Sequence, residues 1–139
     1  MSFLLDTNVV SEWVKPIPDP GLVEWLATTD EERMYLSVVT LAELRYGVEL
    51  LHAGQRRARL ENWIQQEFRE RFSGRILPVD EQVADEWGRV VARSRSAGRP
   101  IGVMDAFIAA TAQAAGLVLV TRNDSDFVSA GIELHNPWL

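Results

Sequence analysis

Apolar positions along the chain change period several times, and the changes mark its elements. Phe3–Leu5 is a short apolar run and predicts a strand; residues 8–14 then read as a short helix. The stretch KPIPDPG, residues 15–21, is rich in Pro and Gly and predicts a loop before a second helix over 21–28. Met34–Ser37 suits a pleated sheet. From Thr40 the period becomes helical, with Leu41, Leu44, Val48 and Leu51 on one face. An uninterrupted helix is predicted over 56–72, a strand over 75–79, and a helix over 81–97 with Val83, Trp87, Val90 and Val91 inward and Gly98 closing it. Val103–Ala115 is Ala-rich, with Met104, Phe107, Ile108 and Thr111 on one stripe and Gly116 at its end. Residues 117–120 form a continuous apolar run, as in a parallel strand buried on both faces. A short helix over 125–129 and a strand over 132–134 complete the pattern.

Short apolar strands alternating with helices predict an α/β architecture: a parallel sheet with helices on both faces. At 139 residues, with no repeat and no interdomain linker, the chain is expected to be a single domain over 1–139. Function in such sheets sits in the crevice beyond the carboxyl ends of the strands.

That placement gives the acids their interest. Asp6 directly follows the first strand, Glu43 lies in SVVTLAEL at the start of its helix, and Asp105 lies in the first turn of its helix. Asn123, Asp124 and Asp126 follow the fourth strand in TRNDSDF. Each has a plain local explanation. Asp6 suits a helix N-cap, Thr40 and Glu43 match a capping box, Asp105 suits the helix dipole, and the NDSD stretch suits Asx turns. Their recurrence at one end of the sheet is less easily explained that way. Several converging carboxylates repel one another unless a cation neutralises them. An all-oxygen site without Cys or His suits Mg²⁺ or Mn²⁺, which can polarise a phosphate and lower the pKa of water.

Composition narrows the choices. The chain has no Cys, so disulfides, zinc–thiolate sites and thiol catalysis are excluded. No apolar run is long enough for a membrane span and no signal-peptide pattern opens the chain, so a soluble cytoplasmic protein is expected. The net charge of −6 argues against a broad nucleic-acid-coating surface. Basic charge is almost all Arg, clustered at 56–59, 69–75 and 89–99; these side chains suit either a solvated helix face or phosphate contacts at the rim of an acidic site. His52 and His135 have no motif around them, and no Walker A lysine, G-x-S-x-G or G-x-G-x-x-G is present. Trp13, Trp25, Trp63 and Trp138 are candidates for core or interface, and Trp63 is read as a partner contact.

Taken in order, LLDTNVVSE, LSVVTLAELRYGV, MDAFIAATA and LVTRNDSDF resemble PIN-domain proteins, specifically the VapC/FitB-like toxins of type II toxin–antitoxin pairs. GRILPVDE and the terminal NPW resemble the FitB branch. The resemblance covers essentially the whole chain. It implies a PIN-like three-layer α/β/α fold with a central parallel five-stranded sheet, and a Mg²⁺- or Mn²⁺-dependent endoribonuclease. It also implies a homodimer and a small antitoxin, often of the ribbon-helix-helix type, which would make any contact with operator DNA. Carried over by motif, Asp6 and Asp105 would be the main metal ligands and Glu43 would complete the shell, through water if not directly. The fourth position is open: Asn123 is a neutral ligand at best, Asp126 is the preferred source of charge, and Asp124 is the weaker candidate. Thr7, Asn8 and Thr121 would orient the carboxylates. Two other readings stand beside it. One is aspartyl-phosphate chemistry on Asp6, which wants a second acid where the chain has Asn8 and a lysine where only Lys15 exists. The other is a PIN-like binding module that has lost activity.

Overall fold

A computed structural model describes residues 1–138. Five parallel strands form one sheet in the order β3-β2-β1-β4-β5. They are β1 (Phe3–Leu5), β2 (Met34–Ser37), β3 (Ile76–Leu77), β4 (Val118–Val120) and β5 (Leu134–His135). β1 is central, with Leu4 opposite Tyr35 of β2 and Leu119 of β4. The chain winds outward from β1 in one direction, then returns to β4 and winds the other way. The crevice between β1 and β4 is therefore the switch point of the sheet, where such folds place ligands.

The period of two in the strands sorts side chains into two cores. Leu4, Tyr35, Leu77, Leu119 and Leu134 join the cluster on one face. Phe3, Leu5, Met34, Leu36, Ile76 and Val120 join the cluster on the other. The first face is covered by α6 (Glu81–Ser96) and α7 (Val103–Ala115), with Val83, Val90, Ile108 and a row of buried alanines between them. Small side chains on α7 let it lie close to α6 and the sheet. The second face is covered by α1 (Thr7–Trp13), α2 (Pro20–Thr28) and the aromatic residues Phe68 and Phe72. The result is the expected α/β/α layering.

Several boundaries differ from the sequence expectation for local reasons. The capping-box reading at Thr40 is corrected: α3 (Val38–Glu49) starts earlier because the Ser37 hydroxyl accepts a hydrogen bond from the Val39 N–H and caps it. Glu43 accordingly lies in the second turn of α3. The strand expected over 75–79 is only Ile76–Leu77, since Pro78 has no N–H to continue the ladder. The last strand falls at Leu134–His135 instead of 132–134, because a tight turn at Val128–Ala130 with Gly131 in the left-handed region delays it. Met104 was placed on the inward stripe of α7 and is instead exposed at the helix start.

The helix expected over 56–72 forms over 55–71 but contains a wider turn. α4 (Gln55–Asn62) passes into a π-helical turn, Trp63–Phe68, before the short α5 (Arg69–Arg71). Residues five apart diverge around an α-helix but fall nearly in line in an i→i+5 turn. The wider turn thus lets Trp63 and Phe68 face the core together, with ring centroids 5.1 Å apart. Trp63 packs half-buried against this core; Trp13 packs edge-on to Phe72 and Trp25 edge-on to Phe3.

The buried ring of Phe68 should carry a large share of this packing. Phe68→Ala is expected to cost about 3–5 kcal/mol in a urea titration. Tyr46→Ala, at a side chain 66% exposed, should stay within about 0.5 kcal/mol of the native protein.

Candidate functional site

Asp6 begins where β1 ends. Its N–H still bonds to the Val120 carbonyl of β4, 2.9 Å away, and its side chain turns inward to cap α1. Oδ1 accepts from the Thr7 N–H at 2.7 Å. Oδ2 accepts from the Thr121 hydroxyl at 2.8 Å and from the Asn8 amide at 3.2 Å. The carboxylate is only 5% exposed. Burial is the main cause that pushes its pKa up, to about 6, and the nearby Asp105 and Glu43 charges push the same way. The bonds from Thr121 and Thr7 oppose the shift without cancelling it.

The neighbouring hydroxyls extend this network. Thr7 Oγ1 donates to Glu43 Oε1 at 2.7 Å and lies 3.0 Å from the buried Thr40 hydroxyl. Thr121 Oγ1 also accepts from the Asn123 N–H at 3.0 Å, and Asn8 Oδ1 accepts from the Arg122 N–H at 3.2 Å. Asn8 and Thr121 therefore lock the end of β1 to the end of β4. Asp105 projects from the first turn of α7; burial first, then Glu43 and Asp126, raise its pKa.

These side chains share a cleft of about 370 Å³ lined by Asp6, Thr7, Asn8, Glu43, Asp105 and Asn123, with Arg122 and Trp138 at its edge. Asp105 also borders a second hollow of about 270 Å³, where Asp126 lies with Arg99, Ser125 and Ser129. The structure thus brings Asp6, Glu43 and Asp105 to one cleft. It sets Asn123 inside that cleft and Asp126 beyond Asp105. Asp124 lines neither hollow.

The PIN-domain family model matches residues 3–133 of the chain. The chain belongs to the PIN-domain family. Over 135 residues it is 39% identical to the VapC ribonuclease Y4jK of Sinorhizobium fredii, covering 97% of this chain and 96% of that protein. It is 41% identical to the toxin FitB of Neisseria gonorrhoeae, covering 97% of both. A solved structure of FitAB bound to an IR36 DNA fragment superimposes with a TM-score of 0.93 at 39% identity, covering 99% of this chain and 96% of that one.

The donors of this PIN domain are carboxylate, hydroxyl and amide oxygens. His52 is exposed, and His135 packs against Trp25, 5.8 Å between rings. That donor set suits a hard divalent cation and not zinc. Among the described residues no group of three or more Asp, Glu and His side chains is drawn tightly enough to hold an ion alone. A cation of the magnesium class needs only one or two carboxylates and keeps waters elsewhere, so the residues fit it.

Sequence reasoning did not place Thr40 in this hydrogen-bond network or Arg122 and Trp138 at this cleft. Thr40 was masked by its resemblance to a cap. Arg122 had a signal, since it stands between Thr121 and Asn123; Trp138 had none that fixed its place.

The Asp6 shift has a thermodynamic sign. Its folded pKa, about 6, lies above the ordinary 3.8, so between those values the folded chain binds more protons than the unfolded one. In EDTA, stability should fall as pH rises through this window, by up to roughly 2–3 kcal/mol. Asp6→Asn should lose most of that dependence, the raised Asp105 keeping a remainder of the same sign. Urea midpoints between pH 4 and 8 measure this, and identical slopes for both proteins would contradict it.

Proposed function

We propose that this PIN domain, working as one unit over residues 1–139, is a metal-dependent endoribonuclease and the toxin of a toxin–antitoxin pair. The observation that carries the reading is the single cleft lined by Asp6, Glu43 and Asp105, with Asp6 buried and oriented by three hydrogen bonds. Its ribonuclease and toxin relatives supply the class of reaction.

In this reading Asp6 and Asp105 would be the main residues to hold Mg²⁺ or Mn²⁺, and Glu43 would complete their set. When bound, the cation polarises the RNA phosphodiester and lowers the pKa of an attacking water. The chain's own residues prepare the site. Thr7, Asn8 and Thr121 fix the Asp6 carboxylate, so little reorganisation is left for the reaction. Thr7 bonds one Glu43 oxygen and so anchors that side chain at the cleft. Burial disfavours the charged forms of Asp6 and Asp105 in the absence of a cation, and a bound cation would relieve that cost. In this reading the leaving oxygen takes its proton from solvent.

The aspartyl-phosphate reading fares worse. Both Asp6 oxygens already accept hydrogen bonds, and Lys15, which lines the same cleft, is taken by Glu12 at 2.8 Å. The partner assignment extends from the FitAB complex: a small antitoxin of the ribbon-helix-helix class masks the cleft and alone contacts operator DNA. The toxin is a homodimer and acts in the cytoplasm. No helix of the described residues is long and apolar enough to cross a membrane.

Purified protein free of any antitoxin should cleave RNA with Mg²⁺ or Mn²⁺ and stop in EDTA. Asp6→Asn and Asp105→Asn should each lower the rate about 100-fold or more, a loss expected when a metal ligand is removed. RNA cleavage that survives both substitutions would sink the assignment. A second measurement separates the candidates for the fourth position. Asn123→Asp adds a charge inside the cleft and should tighten Mn²⁺ binding in titration calorimetry. Asp126→Asn should weaken Mn²⁺ binding if Asp126 reaches the ion, and leave it unchanged if Asp126 acts only from the second hollow.

A further inference from the structure

Beyond the acids, the cleft has a different kind of wall. Trp138 and Arg122 line it together with Asp6, Glu43 and Asp105. Trp138 is half-buried, and part of its surface rests on the core formed by Leu5, Val9, Val10 and Val120. The Asn136 side chain fixes the segment twice: Oδ1 accepts from the Trp138 N–H at 3.0 Å, and Nδ2 donates to the Arg122 carbonyl at 3.2 Å. Pro137 between them restricts the backbone further. The indole is thereby a fixed surface beside the carboxylates.

Arg122 is exposed and forms no salt bridge with a described residue. Its charge helps hold the Glu12 carboxyl below the ordinary range, but Lys15 is the main cause and takes the direct bond. The Arg122 guanidinium lies over the Trp138 ring at 6.0 Å, the outer limit of a cation–π contact. It can leave that position at small cost. A supported aromatic face beside an uncommitted guanidinium is the combination that grips unpaired nucleotides, by base stacking and a phosphate contact. A duplex cannot use it, because its bases are already stacked on one another.

We propose that Trp138 and Arg122 form a stacking and phosphate subsite that makes this cleft select a single-stranded nucleotide beside the scissile phosphate, with Asn136 as the positioning residue. The inference rests on the ribonuclease reading for the identity of the polymer and deepens it to a substrate class. Alternative occupants of the same wall, such as a peptide, make no use of a base.

The test is binding of short dye-labelled RNA to the full chain in EDTA, read by fluorescence anisotropy, so that cleavage plays no part. Trp138→Leu keeps apolar contact with the core but removes the ring; it should weaken single-stranded RNA about tenfold and leave duplex RNA unchanged. Trp138→Phe should restore most of the affinity. Arg122→Gln, at an exposed side chain, should weaken binding and lower its salt dependence. An abasic site scanned along the RNA should weaken native binding at one position, and that position should fall silent in Trp138→Leu. Unchanged single-strand affinity in Trp138→Leu overturns the subsite. So does an equal loss on single strand and duplex, or an abasic effect that persists in the variant. The two readings fail separately: absence of metal-dependent cleavage by native protein defeats the ribonuclease assignment, while Trp138-dependent binding in EDTA stands or falls without it.

Discussion

The structure depends on how one carboxylate is buried at the end of its central strand. Asp6 sits where three parts of the chain meet: the close of β1, the first turn of α1, and the segment after β4. A buried carboxylate is tolerated only where hydrogen bonds replace its lost hydration. Thr7, Asn8 and Thr121 provide those bonds, and in doing so they tie the two strands that flank the switch point. Remove the acid and the Thr7 N–H, the Asn8 amide and the Thr121 hydroxyl lose their acceptor; remove those donors and the acid becomes too costly to bury. The capping role and the site role of Asp6 are thus one arrangement. Oδ1 caps the helix while Oδ2 is held by Asn8 and Thr121, so one carboxylate both starts α1 and faces the cleft in a fixed orientation.

The arrangement also divides labour among the acids. Asp6 is fixed by partners on every side. Glu43 is anchored at one oxygen, through Thr7. Asp105 has no such anchor among the described contacts and lies between two hollows, where it meets both Glu43 and Asp126 electrostatically. A rigid acid, a half-anchored acid and a freer acid make a graded set, so the cleft can adjust around what enters it while one wall stays in place.

Much of this was legible in the chain itself, for particular reasons. Phe3–Leu5, Met34–Ser37 and Val103–Ala115 fall where the apolar pattern predicts them, because each is a short run bounded by a cap or a glycine. The convergence of Asp6, Glu43 and Asp105 followed from their common position past strand ends in a parallel sheet. What was not legible depends on contacts across the fold. The π-helical turn at 63–68 answers to a core assembled from Leu5, Leu22 and Phe72, which no local pattern reveals. Thr40 looked like a cap because its partner, Thr7, is 33 positions away. Whether Asn123 or Asp126 faces the acids depends on how the turn after β4 is laid over α7. Trp138 was indistinguishable from a core tryptophan until its neighbours were known.

The order of the strands has a consequence in time. The bond between Thr121 and Asp6 joins residues 115 positions apart, and β4 enters the sheet beside the first strand made. A chain emerging from the ribosome exposes Asp6, Glu43 and Asp105 in turn, yet it has no cleft, because the wall that holds them together has not been synthesised. The cleft is therefore complete only once the segment after β4 has joined the sheet.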